Sequence, residues 1–376
     1  MAKSRRRVVI ALGFALLAAL PVGQARGQEP QSTWSPAAAA KYLDGRAEAW
    51  LNWSGAARGQ GTACVSCHTT LSFALARPAL SKNLRETAVG TVEQRFLDNV
   101  RKRVANWEKI VANPAAEKNP FVPFYPKERK PSALGTESVL NALVLVNHDV
   151  KWAKGILSQS TRKALGHLWE QQQASGAWLW LEFGLRPWEK DGAYYGASLA
   201  AIAVGRAGKD YYYHADVQAK VAALKKYLRT QFPQRPLHDR ILALWASSHL
   251  PGILPKADTR KLIEEVLAAQ EADGGWSLAK LGMARTGSGA WTSYGVHPAG
   301  AVSDGYATGL VVLALKRAAV AADPASLQRG VSWLTANQQD GTWPANYPNR
   351  ARDPQTHVGM FMRDAATAFA VLALTD

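Results

Sequence analysis

Residues 329–343 read RGVSWLTANQQDGTW, and this stretch decides the fold. A helical run is followed by Gln338, and Gly341 then ends the helix two residues before Trp343. Glycine tolerates the positive φ that closes a helix. The glutamine can bond carbonyls left free at the helix end, and the tryptophan can cover the seam between neighbouring helices. We therefore expect a helix whose end is sealed against its neighbour.

The same pattern recurs twice earlier in the chain. Residues 163–178 and 261–276 each contain a helical run, a glutamine, a glycine and then a tryptophan, which is Trp178 in the first and Trp276 in the second. The chain has 14 tryptophans in 376 residues, which is far above ordinary usage, and several of them fall in these units. A unit that recurs along the chain predicts a repeat architecture.

A second series of segments alternates with the first. These segments are small and apolar on nearly all sides, so they are predicted to be buried inner helices. They start near residues 68, 137, 191, 239, 304 and 364. Five of them open with an acid, which suits a helix N-terminus and its dipole. The acids are Glu137, Asp191, Asp239, Asp304 and Asp364.

The repeats resemble the QW repeats of squalene–hopene and oxidosqualene cyclases and the related repeats of protein prenyltransferase β-subunits. Residues 329–343 match the full motif, the other two units match part of it, and the resemblance covers roughly residues 130–376. It implies an all-α fold, the terpenoid cyclase/prenyltransferase-like α6/α6 toroid, which is a double ring of helices. Six inner helices fit that ring.

The inner helices of such a ring all begin at one end, which we call the mouth. The segment 64–68, which precedes the first inner helix, is therefore expected at the mouth. The acids expected beside it are Glu137, Asp191, Asp239, Asp304 and Asp364. The long connections 178–190, 277–303 and 344–363 are expected to cover it, because loops of that length in a compact domain are usually functional.

The N-terminal residues have the composition of an export signal. Basic residues precede an apolar run at 8–20 that is too short to span a membrane, and small residues follow it. We expect residues 1–27 to be a signal peptide, residues 28–62 a lead-in segment, and residues 63–376 one toroid domain. The predicted location is the periplasm, with membrane association left open.

The formal charge of +16 argues for a basic surface. No basic stripe is interleaved with aromatic residues, so no nucleic-acid partner is expected. General solubility explains the charge most simply, although such a surface also suits anionic lipid headgroups or an acidic redox partner.

Cys64 and Cys67 are the only cysteines, and His68 follows the second one. Cys-x-x-Cys-His resembles the attachment motif of c-type cytochromes. The resemblance implies one covalent haem c, with thioethers from both cysteines and His68 as an iron ligand. The motif is expected to form one helical turn, in which residues three and four apart share a face. A disulfide, a redox-active pair and a zinc site remain alternatives.

Several residues on the mouth-covering connections are candidates for a second iron ligand. They are His297, Met283, His357, Met360 and Met362. An iron without a second protein ligand is equally compatible with the sequence.

Catalysis of the cyclase type needs a strong acid, which those enzymes supply from an Asp-x-Asp-Asp motif. That motif is absent, and only Asp304 and Asp364 remain as candidate catalytic acids. Each of them also suits a helix N-cap. A prenyltransferase zinc site is not expected, because no cysteine follows Cys67.

Three functions follow from these observations. The first is a haem protein that acts in electron transfer or in haem-assisted chemistry on an apolar ligand. The second is a haem-free enzyme similar to terpenoid cyclases or polysaccharide lyases, and the third is a non-catalytic module that binds a lipid or a partner. Nine aromatic residues are candidates for the lining of an apolar cavity, although packing between repeats explains Trp178, Trp276 and Trp343 as well. They are Trp178, Trp180, Trp188, Tyr194, Tyr195, Trp276, Trp291, Tyr306 and Trp343.

Overall fold

The computed structural model describes residues 34–112, 121–125, 129–184, 186–282, 284–285, 291–292, 302–318, 324–347 and 352–376. They belong to one unit, Thr33–Asp376. The predicted signal peptide and the candidate ligands Met283 and His297 lie outside the described residues.

The described residues form helices joined by short turns and longer connections. In chain order the helices are α1 (Pro36–Asn52), α2 (Thr70–Ala79), α3 (Ser81–Leu84), α4 (Thr91–Ala105), α5 (Trp107–Ala112), α6 (Lys130–Trp152), α7 (Gln159–Glu170), α8 (Ala193–Arg206), α9 (Lys209–Tyr212), α10 (Ala215–Gln231), α11 (Leu237–His249), α12 (Lys256–Ala268), α13 (Leu278–Leu281), α14 (Gly305–Arg317), α15 (Pro324–Ala336) and α16 (Phe361–Thr375). Two short antiparallel strands, β1 (Ala284–Arg285) and β2 (Trp291–Thr292), pair with each other.

Six of these helices form a closed inner ring. α2, α6, α8, α11, α14 and α16 each pack against the next, and α16 packs back against α2. The outer layer consists of α1, α4, α7, α10, α12 and α15, which pack on the inner helices. The prediction of an all-α α6/α6 toroid is therefore confirmed.

Small residues allow the inner helices to approach closely. α14 is buried along its length from Gly305 to Leu315. A side chain at Gly309 would overlap the backbone of Phe369 on α16, so these two helices meet backbone to backbone. By length and composition the stretch Val358–Thr375 could cross a membrane, but 61% of it is buried inside the protein, which is typical of a core helix.

The turn at residues 338–343 closes the ring. Gln338 accepts a hydrogen bond from the Ser35 backbone N–H and donates to the Ser35 carbonyl (3.1 Å), so the end of α15 is fixed to the start of α1. The Trp343 indole N–H donates to the Leu334 carbonyl (2.7 Å), which is one of the carbonyls that the end of α15 leaves free. The last repeat is thus joined to the first helix.

The two partial repeats build the same joint. Gln172 and Gln270 each donate both to the carbonyl of the glycine in their own turn and to a carbonyl of a neighbouring outer helix. Trp178 and Trp276 donate to the last turns of α7 and α12. The sequence pattern therefore predicted this joint correctly at all three positions.

Gly341 and Gly155 provide a matched test of this joint. Both have φ +81°, but a Cβ at Gly341 would overlap the Ala38 carbonyl oxygen, whereas one at Gly155 would meet nothing within 4 Å. We expect Gly155→Ala to lower the free energy of unfolding by about 1 kcal/mol through backbone strain alone. Gly341→Ala should cost about 1–3 kcal/mol more because of the steric overlap. Urea denaturation followed by circular dichroism measures both, and equal losses would show that α1 does not approach Gly341 closely.

Candidate functional site

The Cys-x-x-Cys-His motif lies immediately before α2, where residues 64–66 have no regular secondary structure and residues 67–69 form a turn. The prediction that the motif forms one helical turn was therefore wrong. The Cys64 N–H donates to the Ala56 carbonyl (2.9 Å), and the Cys64 carbonyl accepts from the Trp50 indole N–H (2.8 Å). The chain turns at Ser66, whose hydroxyl oxygen accepts from two backbone N–H groups at the start of α2, each at 3.1 Å.

His68 is held in one tautomer by its neighbours. The Thr69 hydroxyl donates to Asp364 Oδ2 at 2.6 Å, so towards His68 Nδ1 at 3.2 Å it acts as acceptor. Nδ1 therefore carries the proton and Nε2 carries the lone pair. Burial, aided by the positive charges of Arg46 and Arg352, holds the pKa of His68 well below its ordinary value, so the imidazole is neutral.

Aromatic rings fix the orientation of this imidazole. Phe361, the first residue of α16, stacks on His68 with ring centroids 3.4 Å apart. Trp50 and Trp188 pack against it at 5.8 and 5.6 Å. These contacts place the motif where α2 and α16 begin, at the mouth of the ring.

A cleft of about 280 Å³ opens beside the motif. Both cysteines and His68 line it, together with aromatic and apolar side chains and two arginines. The other lining residues are Trp50, Trp53, Gly55, Arg58, Val65, Ser66, Phe124, Tyr125, Thr136, Leu181, Phe183, Glu189, Arg352, Val358 and Phe361. Two of the predicted mouth-covering connections, 178–190 and 344–363, contribute to these walls, whereas most of the third lies outside the described residues.

The two cysteines are free thiols and not a disulfide. Burial raises the pKa of Cys64 and raises that of Cys67 well above its ordinary range. A catalytic redox pair needs a lowered thiol pKa, so this environment argues against thioredoxin-like exchange. Within the described ranges no group of three or more histidine, cysteine or acidic side chains is arranged so that it could hold a bare metal ion.

Glu189 is the residue of this site that the sequence analysis missed. Its Oε1 lies 3.8 Å from His68 Nε2. Burial raises its pKa to about 7, and the positive charge of Arg352 opposes that shift. Its position next to Trp188, a tryptophan outside the repeat positions, was the available signal. Among the described residues that line the cleft it is the one carboxylate, whereas glycosidase chemistry uses a pair.

The two candidate catalytic acids do not line the cleft. Asp304 is the N-cap of α14 and accepts hydrogen bonds from the Ala307 and Leu278 N–H groups at 2.8 and 2.7 Å. Burial raises its pKa to about 7, against the effect of these hydrogen bonds. Asp364 accepts from Tyr42, from Arg46 through two nitrogens, and from Thr69. Both carboxylates therefore have structural partners.

The other three acids are separate from the cleft as well. The prediction that Glu137 begins an inner helix was wrong, because α6 begins at Lys130 and Glu137 is about two turns further on, fully buried and paired with Arg103. Asp191 precedes α8 and forms an exposed ion pair with Arg186. Asp239 lies in the first turn of α11.

The predicted second ligands do not line the cleft either. Among the described ones, Met362 is buried in the core, with 3% of its surface exposed, and Met360 is not a lining residue. His357 stacks on Trp53 with ring centroids 4.7 Å apart.

The candidate aromatic residues that the structure describes lie away from this cleft. Trp178, Trp180, Trp188, Tyr194, Tyr195, Trp276, Tyr306 and Trp343 are buried and do not border it. The Tyr306 hydroxyl is hydrogen-bonded to Trp188 (3.1 Å) and His238 (2.8 Å). His238 also contacts Asp239 at 2.9 Å. Trp188 and Tyr306 thus take part in packing between segments of the toroid.

Comparison with known proteins gives the fold. No family model and no curated protein matches the sequence. The unsaturated glucuronyl hydrolase of Bacillus sp. GL1 is 11% identical, with 90% of this chain and 94% of the hydrolase covered at a TM-score of 0.51. The ent-copalyl diphosphate synthase of Streptomyces platensis is 15% identical, with 81% of this chain and 50% of the synthase covered at a TM-score of 0.46. This chain thus spans about half the length of the synthase. The protein is similar in fold to α/α toroid enzymes.

Proposed function

We propose that this protein is an exported c-type haem protein built on an α/α toroid, acting in electron transfer or in haem-assisted chemistry on an apolar molecule. The observation that carries the proposal is the cleft itself. It brings two free thiols and a neutral imidazole together beneath an aromatic wall. Location in the periplasm is part of the proposal, because thioether attachment belongs to an exported compartment.

The donor set on this cleft, two thiols and one imidazole, is the one that a covalently attached haem needs. Cys64 and Cys67 would each add their S–H across a vinyl group, a reaction with no leaving group. His68 would bind iron through Nε2, since Thr69 holds the proton on Nδ1. When bound, haem supplies one-electron and oxygen chemistry.

Two arginines of the cleft suit the carboxylates of a haem. Arg58 donates through Nε and Nη1 to the backbone carbonyls of Phe124, Gly55 and Ala57. These bonds fix the guanidinium at the cleft wall while leaving Nη2 for a ligand carboxylate. Arg352 lies on the same cleft and is close enough to act on both His68 and Glu189. The aromatic walls exclude water from the remaining surface of the ligand.

Co-expression with cytochrome c maturation machinery tests the proposal. We expect a red protein with a Soret band and a haem stain that survives denaturing electrophoresis. Cys64→Ser/Cys67→Ser should remove the stain entirely, because no other cysteine exists to hold the haem. His214→Ala, which changes an exposed histidine far from the motif in sequence, is the control and should keep the stain.

A folded wild-type protein that is colourless when purified from such cells would refute the proposal. Haem staining that persists in the double cysteine variant would refute the thioether assignment. Circular dichroism establishes in each case that the variant has folded.

A further inference from the structure

We propose that Glu189 is the second axial ligand of the haem iron, an inference that rests on the proposed function. The sequence pointed to histidines and methionines for this role, and the structure points to a carboxylate. The geometry at His68 Nε2 favours Glu189 over each of the described alternatives.

The distance between the two groups is the first observation. Glu189 Oε1 lies 3.8 Å from His68 Nε2, the nitrogen left free by the Thr69 contact. Metal–nitrogen and metal–carboxylate bonds are each about 2 Å long, so one metal ion between these atoms requires a separation of about 4 Å. The two side chains therefore stand at a metal-bridging distance without being in hydrogen-bond contact with each other.

The second observation is that the carboxylate has no hydrogen-bond donor within the described residues. Its side chain is 14% exposed, and the influence on it besides burial is the positive charge of Arg352. A carboxylate that is 14% exposed keeps only part of its hydration, and without a protein donor this loss is not compensated. A cation at Oε1 would remove that cost.

The third observation is that the backbone around Glu189 is fixed. The Glu189 carbonyl accepts hydrogen bonds from the N–H groups of Phe183 and Gly184, both at 2.9 Å. The neighbouring Trp188 is 4% exposed and donates its indole N–H to Tyr306. These hydrogen bonds fix the backbone of Glu189 where its side chain borders the cleft, and a metal ligand needs such a fixed position.

The holoprotein carrying Glu189→Gln tests this inference, with Asp191→Asn as the matched control. Asp191 is an exposed carboxylate two residues away, paired with Arg186. In Glu189→Gln we expect the ferric Soret band to shift and the reduction potential to rise, because a neutral amide replaces an anionic ligand that favours ferric iron. Exogenous imidazole should bind at least about tenfold more tightly, since the axial position becomes easier to occupy. Asp191→Asn should match the wild type in all three measurements.

The outcomes separate this inference from the proposed function. The haem stain after denaturing electrophoresis reports attachment and should be unchanged in Glu189→Gln. If the stain is present but spectrum, potential and imidazole affinity all equal those of the wild type, Glu189 is not a ligand. If the wild type has no stain, both proposals are wrong. Glu189→Asp, which keeps the carboxylate, provides a second variant and should retain a wild-type-like spectrum more closely than Glu189→Gln.

Discussion

Replacing Arg103 with methionine is expected to lower the free energy of unfolding by about 3–5 kcal/mol. Arg103 and Glu137 are both fully buried, and Nε and Nη2 of the guanidinium bond the two carboxylate oxygens at 2.6 and 2.9 Å. Arg103 also donates to the Thr62 hydroxyl at 3.0 Å. Its removal leaves an unpaired charge in the core between α4 and α6. Urea denaturation measures the loss.

Two further variants identify the cause of that loss. Arg103→Met/Glu137→Leu removes both charges and should recover most of the stability, because the isolated anion is gone. Arg101→Met breaks the exposed pair with Asp98 on the same helix and should cost less than about 1 kcal/mol. If Arg103→Met costs no more than Arg101→Met, the pair is not buried as described.

Asp364→Ala is expected to lower the free energy of unfolding by a similar amount, about 3–5 kcal/mol. The carboxylate accepts both nitrogens of Arg46 at 2.7 and 2.9 Å and the Tyr42 hydroxyl at 2.7 Å, so it fixes α16 to α1. Without it, the buried guanidinium of Arg46 loses its counter-charge. Thermal and urea unfolding both report the change, and the Thr69 hydroxyl that holds His68 loses its acceptor.

The control for Asp364→Ala is Asp216→Ala, which removes an exposed carboxylate and should change the free energy of unfolding by about 0.5 kcal/mol or less. The comparison also separates a structural role from a catalytic one. If Asp364→Ala and Asp216→Ala have the same free energy of unfolding, Asp364 does not stabilise the fold, and a catalytic role for its carboxylate becomes the better explanation.

The ring could be predicted because its signals are local. A glutamine, a glycine and a tryptophan at the end of each outer helix define a joint whose chemistry lies within one turn, as at Gln338 and Trp343. The inner helices can be identified because they are apolar on all sides, as α14 is. Neither property requires knowledge of distant residues.

The candidate site was harder to predict from the sequence, because its residues come together only in the folded chain. An acid at position 137 suggests a helix start, but Pro131 marks the first turn of α6 better, because proline is favoured there. The partner of Glu137 in the core is Arg103, which precedes it by 34 residues. The partner of His68 was missed for a similar reason, since Glu189 follows it by more than a hundred residues.

The cleft walls illustrate the same limit. Tryptophans in and around the repeats stand out in the sequence, but Trp178, Trp276 and Trp343 are buried away from the cleft. The walls instead use aromatic residues outside the repeats, such as Trp53 and Phe124. Burial of one ring and exposure of another depend on the tertiary arrangement, which periodicity does not encode.

The joint between Gln338 and Ser35 imposes an order of events on biogenesis. Its partners are 303 residues apart, and those of the Asp364–Arg46 pair are 318 apart, so α1 can pack on α2 and α4 early but gains its contacts with α15 and α16 only when nearly the whole chain has been synthesised. Contacts of such long range form slowly and leave apolar surface open to aggregation meanwhile. The finished toroid buries the thiols of Cys64 and Cys67. Under the proposed function, an enzyme that attaches haem would therefore have to reach both thiols before the last helix docks, and a chaperone that delays docking would favour attachment.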